Sequence, residues 1–356
     1  MRMLLVGRVL LAGCLLVVIG GCGSGGRPDR SVEPAVPPGP SGLPGTSRAP
    51  TAAAPSLPDR PSPEGRPRWR AFPLDNAPIG IAAADGIVWA VGDRILLRID
   101  AATNSTRELP IPVGAGSGSI DASAGAVWIA DWRGGNVYRV DPSNGAILAT
   151  IPVSRPVGVI ATEDGIFVGS EAQGGVVRID PGTNAVTMSI PQRGGFAYGD
   201  GRLWFAQRDT GTVVRVGART GEIDGRLEVP AAALPDPDDG QGACYVGGRL
   251  PDAWWTWCFS ERGKSVPIRI DPRTLAATGS VEVGGGVSGA VVVMDGLSWF
   301  VLDNRLVAVD DRNAVVRDIS LGDGFGADNA IVAADSLWIP DEYQRQIVRI
   351  RLADLR

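Results

Sequence analysis

The sequence predicts an all-β protein, a seven-bladed β-propeller with four antiparallel strands per blade, and three observations carry that prediction. From Trp69 onward no long segment shows the 3.6-residue apolar period of a helix. The chain runs instead in short β-rich stretches broken by Gly, Asp, Asn and Pro. Those stretches recur. "NVYRVDPSNGAILATIPV" at 136–153 returns as "GVVRIDPGTNAVTMSIP" at 175–191 and "PIRIDPRTLAATGSVEV" at 267–283, and is preceded by "ILLRIDAATNSTRELPIPV" at 95–113. The spacing is near 40 residues with four strands in each unit, which is the spacing of a propeller blade.

Residues 1–22, "MRMLLVGRVLLAGCLLVVIGGC", come before any repeat. Arg2 and Arg8 supply a positive start, and the apolar run 9–19 is too short for a comfortable membrane span. The run ends in small residues before Cys22, which resembles a bacterial lipoprotein signal with Cys22 as the lipidated residue. "LAGC" at 11–14 is a second match, but cleavage at Cys14 would leave "LLVVIGG" on the mature chain, so Cys22 is preferred. A lipid chain anchors with ~0.8 kcal/mol per buried CH₂. The protein is thus expected at the bacterial cell membrane, on its extracytoplasmic side. Residues 23–67 are rich in Pro, Gly, Ser, Arg and Ala without an apolar period, so they cannot bury enough surface to offset their ordering entropy. At ~3.1 Å per residue such a tether reaches on the order of 100 Å. Residues 68–356 are left for the propeller.

Each unit opens with a small apolar run, such as "PIGIAAADG" at 78–86 or "PVGVIATEDG" at 156–165. A turn follows, usually Asp-Gly, and then a strand with one recurring aromatic: Trp89, Trp128, Phe167, Trp204, Trp255, Trp299 and Trp338. These are expected to fill the wedges between blades. A variable loop leads to the "V-x-R-I-D" strand, and a last strand ends in "IPV", "IP" or "EV". The seventh unit has only three strands before the chain ends. "WRAFPLD" at 69–75 resembles the missing fourth and is expected to close the ring against 346–352. Closure removes exposed sheet edges that would template aggregation. In the fifth unit Cys244 and Cys258 flank a hairpin centred near Pro251, which places them opposite each other, and export favours a disulfide worth ~3 kcal/mol. In "AWWTW", strand alternation sends Trp255 and Trp257 to one face and Trp254 to the other.

The Asp-Gly and Asp-Pro turns vary little between units and read as structural. The loops after each second strand vary in length and charge, and variable loops on a rigid scaffold are where binding usually resides. Asp131, Trp132, Arg133, Glu171, Arg208, Asp209, Glu261, Arg262, Asp341, Glu342 and Tyr343 are therefore the candidate ligand-binding residues around the channel mouth. The acidic insert at 234–242 offers Asp236, Asp238 and Asp239, but matches no EF-hand spacing. Ser260, Lys264 and Ser265 contain the parts of a Ser-Lys pair without a supporting motif.

At the level of "DGxVWxA…VxRIDPxTG…TIPV" the chain resembles the YVTN/NHL-like propellers and the streptogramin lyase (virginiamycin B lyase) type of repeat, across nearly all of 69–356. The resemblance implies a propeller fold. That lyase family also implies a magnesium site and a catalytic histidine, yet this sequence contains no histidine, so no catalytic residue carries over.

A formal net charge of −5 argues against nucleic acid as a partner, which requires a basic face. The leading expectation is a monomeric, lipid-anchored, non-enzymatic binding module. Its partner is an envelope protein, a glycan or a small polar ligand, and no cofactor is expected. The alternatives are a lyase or lactonase-type hydrolase using a divalent cation held by channel carboxylates, and a structural role in the envelope.

Overall fold

In the computed structural model, which describes residues 67–112, 119–123, 125–207, 209–230, 244–248, 250, 252–258, 266–284, 290–302, 304–327 and 329–355, the strands form seven four-stranded antiparallel sheets. Six sheets take their strands in chain order: blade one at 80–110, two at 119–152, three at 156–190, four at 195–228, five at 244–280 and six at 291–320. The seventh joins β26 (Ile331–Ala333), β27 (Ser336–Asp341) and β28 (Gln346–Arg351) to β1 (Trp69–Pro73). The register runs from Trp69 opposite Ile350 to Pro73 opposite Gln346, so the N-terminal strand closes the ring on the outer edge of the last blade. A short 3-10 helix, Leu352–Leu355, ends the described chain. Cys22, the tether through residue 66, Arg208, Glu261, Arg262, the acidic insert and the Ser260/Lys264/Ser265 set lie outside the described residues.

The turns follow from their residues. In Asp85-Gly86, Asp200-Gly201 and Asp295-Gly296 both φ angles are positive (52/75°, 56/68° and 51/76°), the pairing a tight hairpin needs to match strand twist. At the Asp-Pro type turns one carboxylate oxygen accepts amides two or three residues on: Asp100 from Ala102 and Thr103, Asp180 from Gly182 and Thr183, Asp271 from Arg273 and Thr274. These bonds hold the three carboxyls below the usual range, and those from Ser143 do the same for Asp141.

The recurring aromatics are buried and each packs toward the next blade. Trp89 joins Ile120 and Ile129, Trp204 joins Trp254 of blade five, and Trp338 joins Val88 of blade one. Trp204 stacks on Trp254 at 5.0 Å, while Trp255 meets Phe300 edge-on at 5.2 Å. Such pairs contribute ~0.5–1.5 kcal/mol beyond the area they bury. Trp255 and Trp257 face blade six and Trp254 faces blade four, as alternation requires. Cys244 on β18 (Cys244–Gly247) pairs directly with Cys258 on β19 (Trp254–Cys258), and the two are disulfide-bonded with Cα atoms 4.0 Å apart.

The arginine of the "V-x-R-I-D" strand has a role that its own strand does not reveal. It sits in register with the blade's aromatic, as Arg139 does with Trp128, Arg215 with Trp204 and Arg349 with Trp338. Its guanidinium lies over that ring at 5.5, 5.5 and 5.0 Å. From there it donates to a carbonyl in the outer turn of the following blade. Arg139 reaches Pro181, Arg215 reaches Pro272, Arg269 reaches Asp311, and Arg349 reaches Ala101 across the ring closure. The aromatic thus positions a clasp between blades.

Candidate functional site

Two ends of the ring carry different connections. The loops after second strands and the crossings between blades lie at one end, the mouth. The hairpin turns lie at the other. At the mouth, Asp131 and Asp341 are buried and committed to their own loops. Asp131 Oδ1 accepts the Gly134 amide at 2.9 Å. Asp341 Oδ1 accepts the amides of Gly326 and Gln344 at 3.2 Å each, and Oδ2 accepts Gln346 Nε2 at 2.9 Å. Both carboxylates fix loops that carry the more exposed candidates.

Trp132 and Glu171 come together. The indole Nε1 of Trp132 donates to Glu171 Oε2 at 3.2 Å, and the Arg155 guanidinium covers the ring at 4.9 Å. Arg155 also pairs with Glu171 at 2.5 Å. This triad knits the second-strand loops of blades two and three through the crossing between them. Arg155 was not among the candidates expected from the sequence, because a lone arginine in a crossing loop carries no pattern. Arg133 on blade two and Asp209 on blade four are exposed on their loops. Tyr343 is 70% exposed, and a Cβ on Gly326 would fall 2.6 Å from its ring, so the ring lies flat over the glycine backbone. The described candidates therefore fall on blades two and three, on blade four and on blade seven.

The hairpin end holds a second cluster, between blades three and four. Tyr198 Oη lies 2.8 Å from both Glu163 Oε1 and Asp164 Oδ2, and Arg219 donates to Asp164 Oδ1. Arg202 and Arg215 each donate through Nε to Asp224 at 2.6 Å. Burial would push the Asp164 carboxyl up, but Arg219 and the Tyr198 hydroxyl outweigh it and hold it below the usual range. Asp224 is lowered the same way, Arg215 and Arg202 outweighing burial. The Tyr198 phenol is raised, first by burial and then by its two carboxylate neighbours. The groups line an open cleft of about 460 Å³. The signal for it was present in the sequence as two departures from the repeat, Glu163 before the Asp-Gly and Gly217 where other units have Asp. Among the described residues no three His, Cys, Asp or Glu side chains gather as a metal site.

A family model described as a repeat of unknown function (DUF6923) matches residues 76–225, which span blades one to four. No curated protein matches the sequence. Among solved structures, a streptogramin B lyase superposes with a TM-score of 0.63 at 17% identity, over 80% of this chain and 97% of that one. The virginiamycin B lyase of Staphylococcus aureus gives 0.62 at 16%, over 80% and 98%. BamB from Moraxella catarrhalis gives 0.55 at 14%, over 85% and 97%. At such identities the likeness is one of fold, and it agrees with the sheets and their closure: the chain is a seven-bladed β-propeller similar to the streptogramin lyases and to other propellers.

Proposed function

We propose that the protein is a lipid-anchored extracytoplasmic propeller that binds a protein, a glycan or a small polar ligand at its mouth, without catalysis. The Trp132–Arg155–Glu171 triad carries the reading. It braces two loops of different blades into one surface and leaves Arg133 exposed beside it. A braced rim loses little entropy when a ligand orders it. The topology supports the anchored arrangement. β1 begins beside Ile350 at the hairpin end and ends beside Gln346 at the mouth. A tether preceding Trp69 would join the ring at the end opposite the mouth and leave the mouth unobstructed. The disulfide suits an oxidising compartment.

The test is capture of envelope components by the full chain, compared with a variant reversing charge at Arg133 and Arg208, alongside lipid labelling of a Cys22→Ser chain. The expected result is loss of a captured component without a change in melting temperature, and loss of label on Cys22→Ser. Capture that ignores the charge reversal would move binding off the mouth. Label retained on Cys22→Ser would remove the anchor.

A further inference from the structure

We infer that the cleft between blades three and four, at the hairpin end, is a second binding site, and that its ligand is a neutral polyhydroxylated compound, one or two sugar units in size. Three features that recur in other blades change here, and all three changes meet at the cleft.

The first is the turn of blade three. In blades one, four and six the Asp-Gly pair forms the centre of the hairpin, but here Thr162 pairs with Gly165, so Glu163 and Asp164 occupy the turn. Gly165 becomes the first residue of β11 (Gly165–Ser170), at φ 132°. The added Glu163 therefore carries two acidic side chains to the tip. The second is the outer turn of blade four. The carboxylate that caps this turn in blades one, two, three, five and six is replaced by Gly217, and a Cβ there would fall 2.5 Å from Thr220 Oγ1. Thr220 caps the turn through its hydroxyl instead, accepting the Glu222 amide. Arg219 is turned toward Asp164 across the junction. The third is the clasp. Arg178 does not cross to the next blade as Arg139 and Arg215 do. Its Nε donates back to the Asp164 carbonyl at 2.6 Å. Without a clasp from Arg178, the junction is spanned by Arg219 and Tyr198, and the cleft opens beside them. Departures from local rules that bring no evident gain in packing are the mark of a functional site.

The chemistry of the lining selects the ligand. The cleft size falls within the range of small-molecule sites. The charges at the cleft are already matched, Arg219 with the buried Asp164 and both Arg202 and Arg215 with Asp224. An anion that drew Arg219 away from Asp164 would leave a desolvated carboxylate behind. A vicinal diol need break none of these pairs. Its hydroxyls donate to the exposed carboxylate of Glu163 and accept from the Arg219 guanidinium, whose side chain is 75% exposed beyond its bond to Asp164. Tyr198, stacked on Phe167 at 6.1 Å, forms a rigid wall beside them.

The test is saturation-transfer NMR on the full chain in an amine-oxide detergent, which contributes no sugar. The probes are cellobiose, maltose, lactose and chitobiose at millimolar concentration, with dialanine and inorganic phosphate for comparison. Saturation is expected to reach at least one disaccharide, and to weaken about tenfold in affinity in both Glu163→Ala and Arg219→Ala. The Glu163 side chain is exposed, so Glu163→Ala is expected to melt like the parent, whereas Arg219→Ala is expected to melt lower because it leaves the buried Asp164 without its guanidinium, and Arg312→Ala on blade six is expected to bind like the parent. Transfer to no disaccharide would overturn the inference. So would transfer that survives both substitutions, or a preference for dialanine or phosphate.

Discussion

Asp164 shows how opposing effects are decided at one carboxylate. It is 5% exposed, which alone disfavours its charge, yet it faces the Arg219 guanidinium and the Tyr198 hydroxyl. The pairing wins, and its folded pKa lies below the unfolded value of 3.8. A depressed carboxyl contributes stability that is present above the unfolded value and is lost as pH falls through the folded one. Asp164→Asn is therefore expected to lower stability at pH 7 by about 1–3 kcal/mol. In urea melts the gap between variant and parent should shrink as pH falls from 7 toward 3, because below 3.8 the unfolded parent takes up the proton that the folded carboxylate resists. A gap of equal size at both pH values would show that packing, and not charge, is what the substitution removes. Asp121 has the opposite sign. Burial raises its carboxyl against the amides of Ala161 and Ala122, so its contribution to stability falls as pH rises through the folded value. Its role is to fasten the inner edges of blades two and three, which Ser119 also does through the Val159 amide.

At the scale of the element, what could be read from the sequence was whatever repeats within a blade. The aromatic positions, the hairpin turns and the cysteine pairing depend on residues of a single blade, the closing strand follows from a last unit one strand short, and the structure contains them all. The clasps were not legible, because the partner lies in another blade. Arg139 meets Pro181 at a separation of 42 residues, Arg215 meets Pro272 at 57, and Arg349 meets Ala101 at 248. A recurring arginine opposite a recurring aromatic was visible in the repeat, but its reach was not. The shifted turn at Glu163 was hidden for a different reason: the sequence still reads Asp-Gly there, and only the pairing of Thr162 with Gly165 moves the turn. Arg349 offers a sharp test of the clasp, since it stacks on Trp338 and donates to Ala101 and to Asn104 Oδ1 of blade one. Arg349→Ala is expected to cost about 2–4 kcal/mol, the sum of a charged hydrogen bond and a partly desolvated cation–π contact. Arg349→Lys should recover less than half, because an ammonium lacks the planar fork that stacks and donates at once. Full rescue by lysine in urea melts would reduce the clasp to a matter of charge.

At the scale of the molecule, the ring offers two faces to solvent. One holds braced loops and the other an open cleft, and neither face owes its shape to a histidine or to a described metal cluster. The binding reading and the lyase or hydrolase alternative separate on one physical quantity, the free energy of a divalent cation on the folded state. A cation that binds only the native ring at ~100 times its Kd adds ~2.7 kcal/mol. In a domain of this size such a gain raises the melting midpoint by a few degrees. The full chain in detergent, melted with Ca²⁺, Mg²⁺, Mn²⁺ or chelator, is expected to give coincident midpoints if the propeller acts by binding alone. Three mouth carboxylates explain why: Asp131 and Asp341 are spent on loop amides, and Glu171 on Arg155 and Trp132. A cation would have to displace those partners before it could be coordinated. A rise that chelator reverses would show that carboxylates outside these commitments converge on a metal. The search for chemistry would then move to the insert at 234–242 and to the loop that carries Glu261.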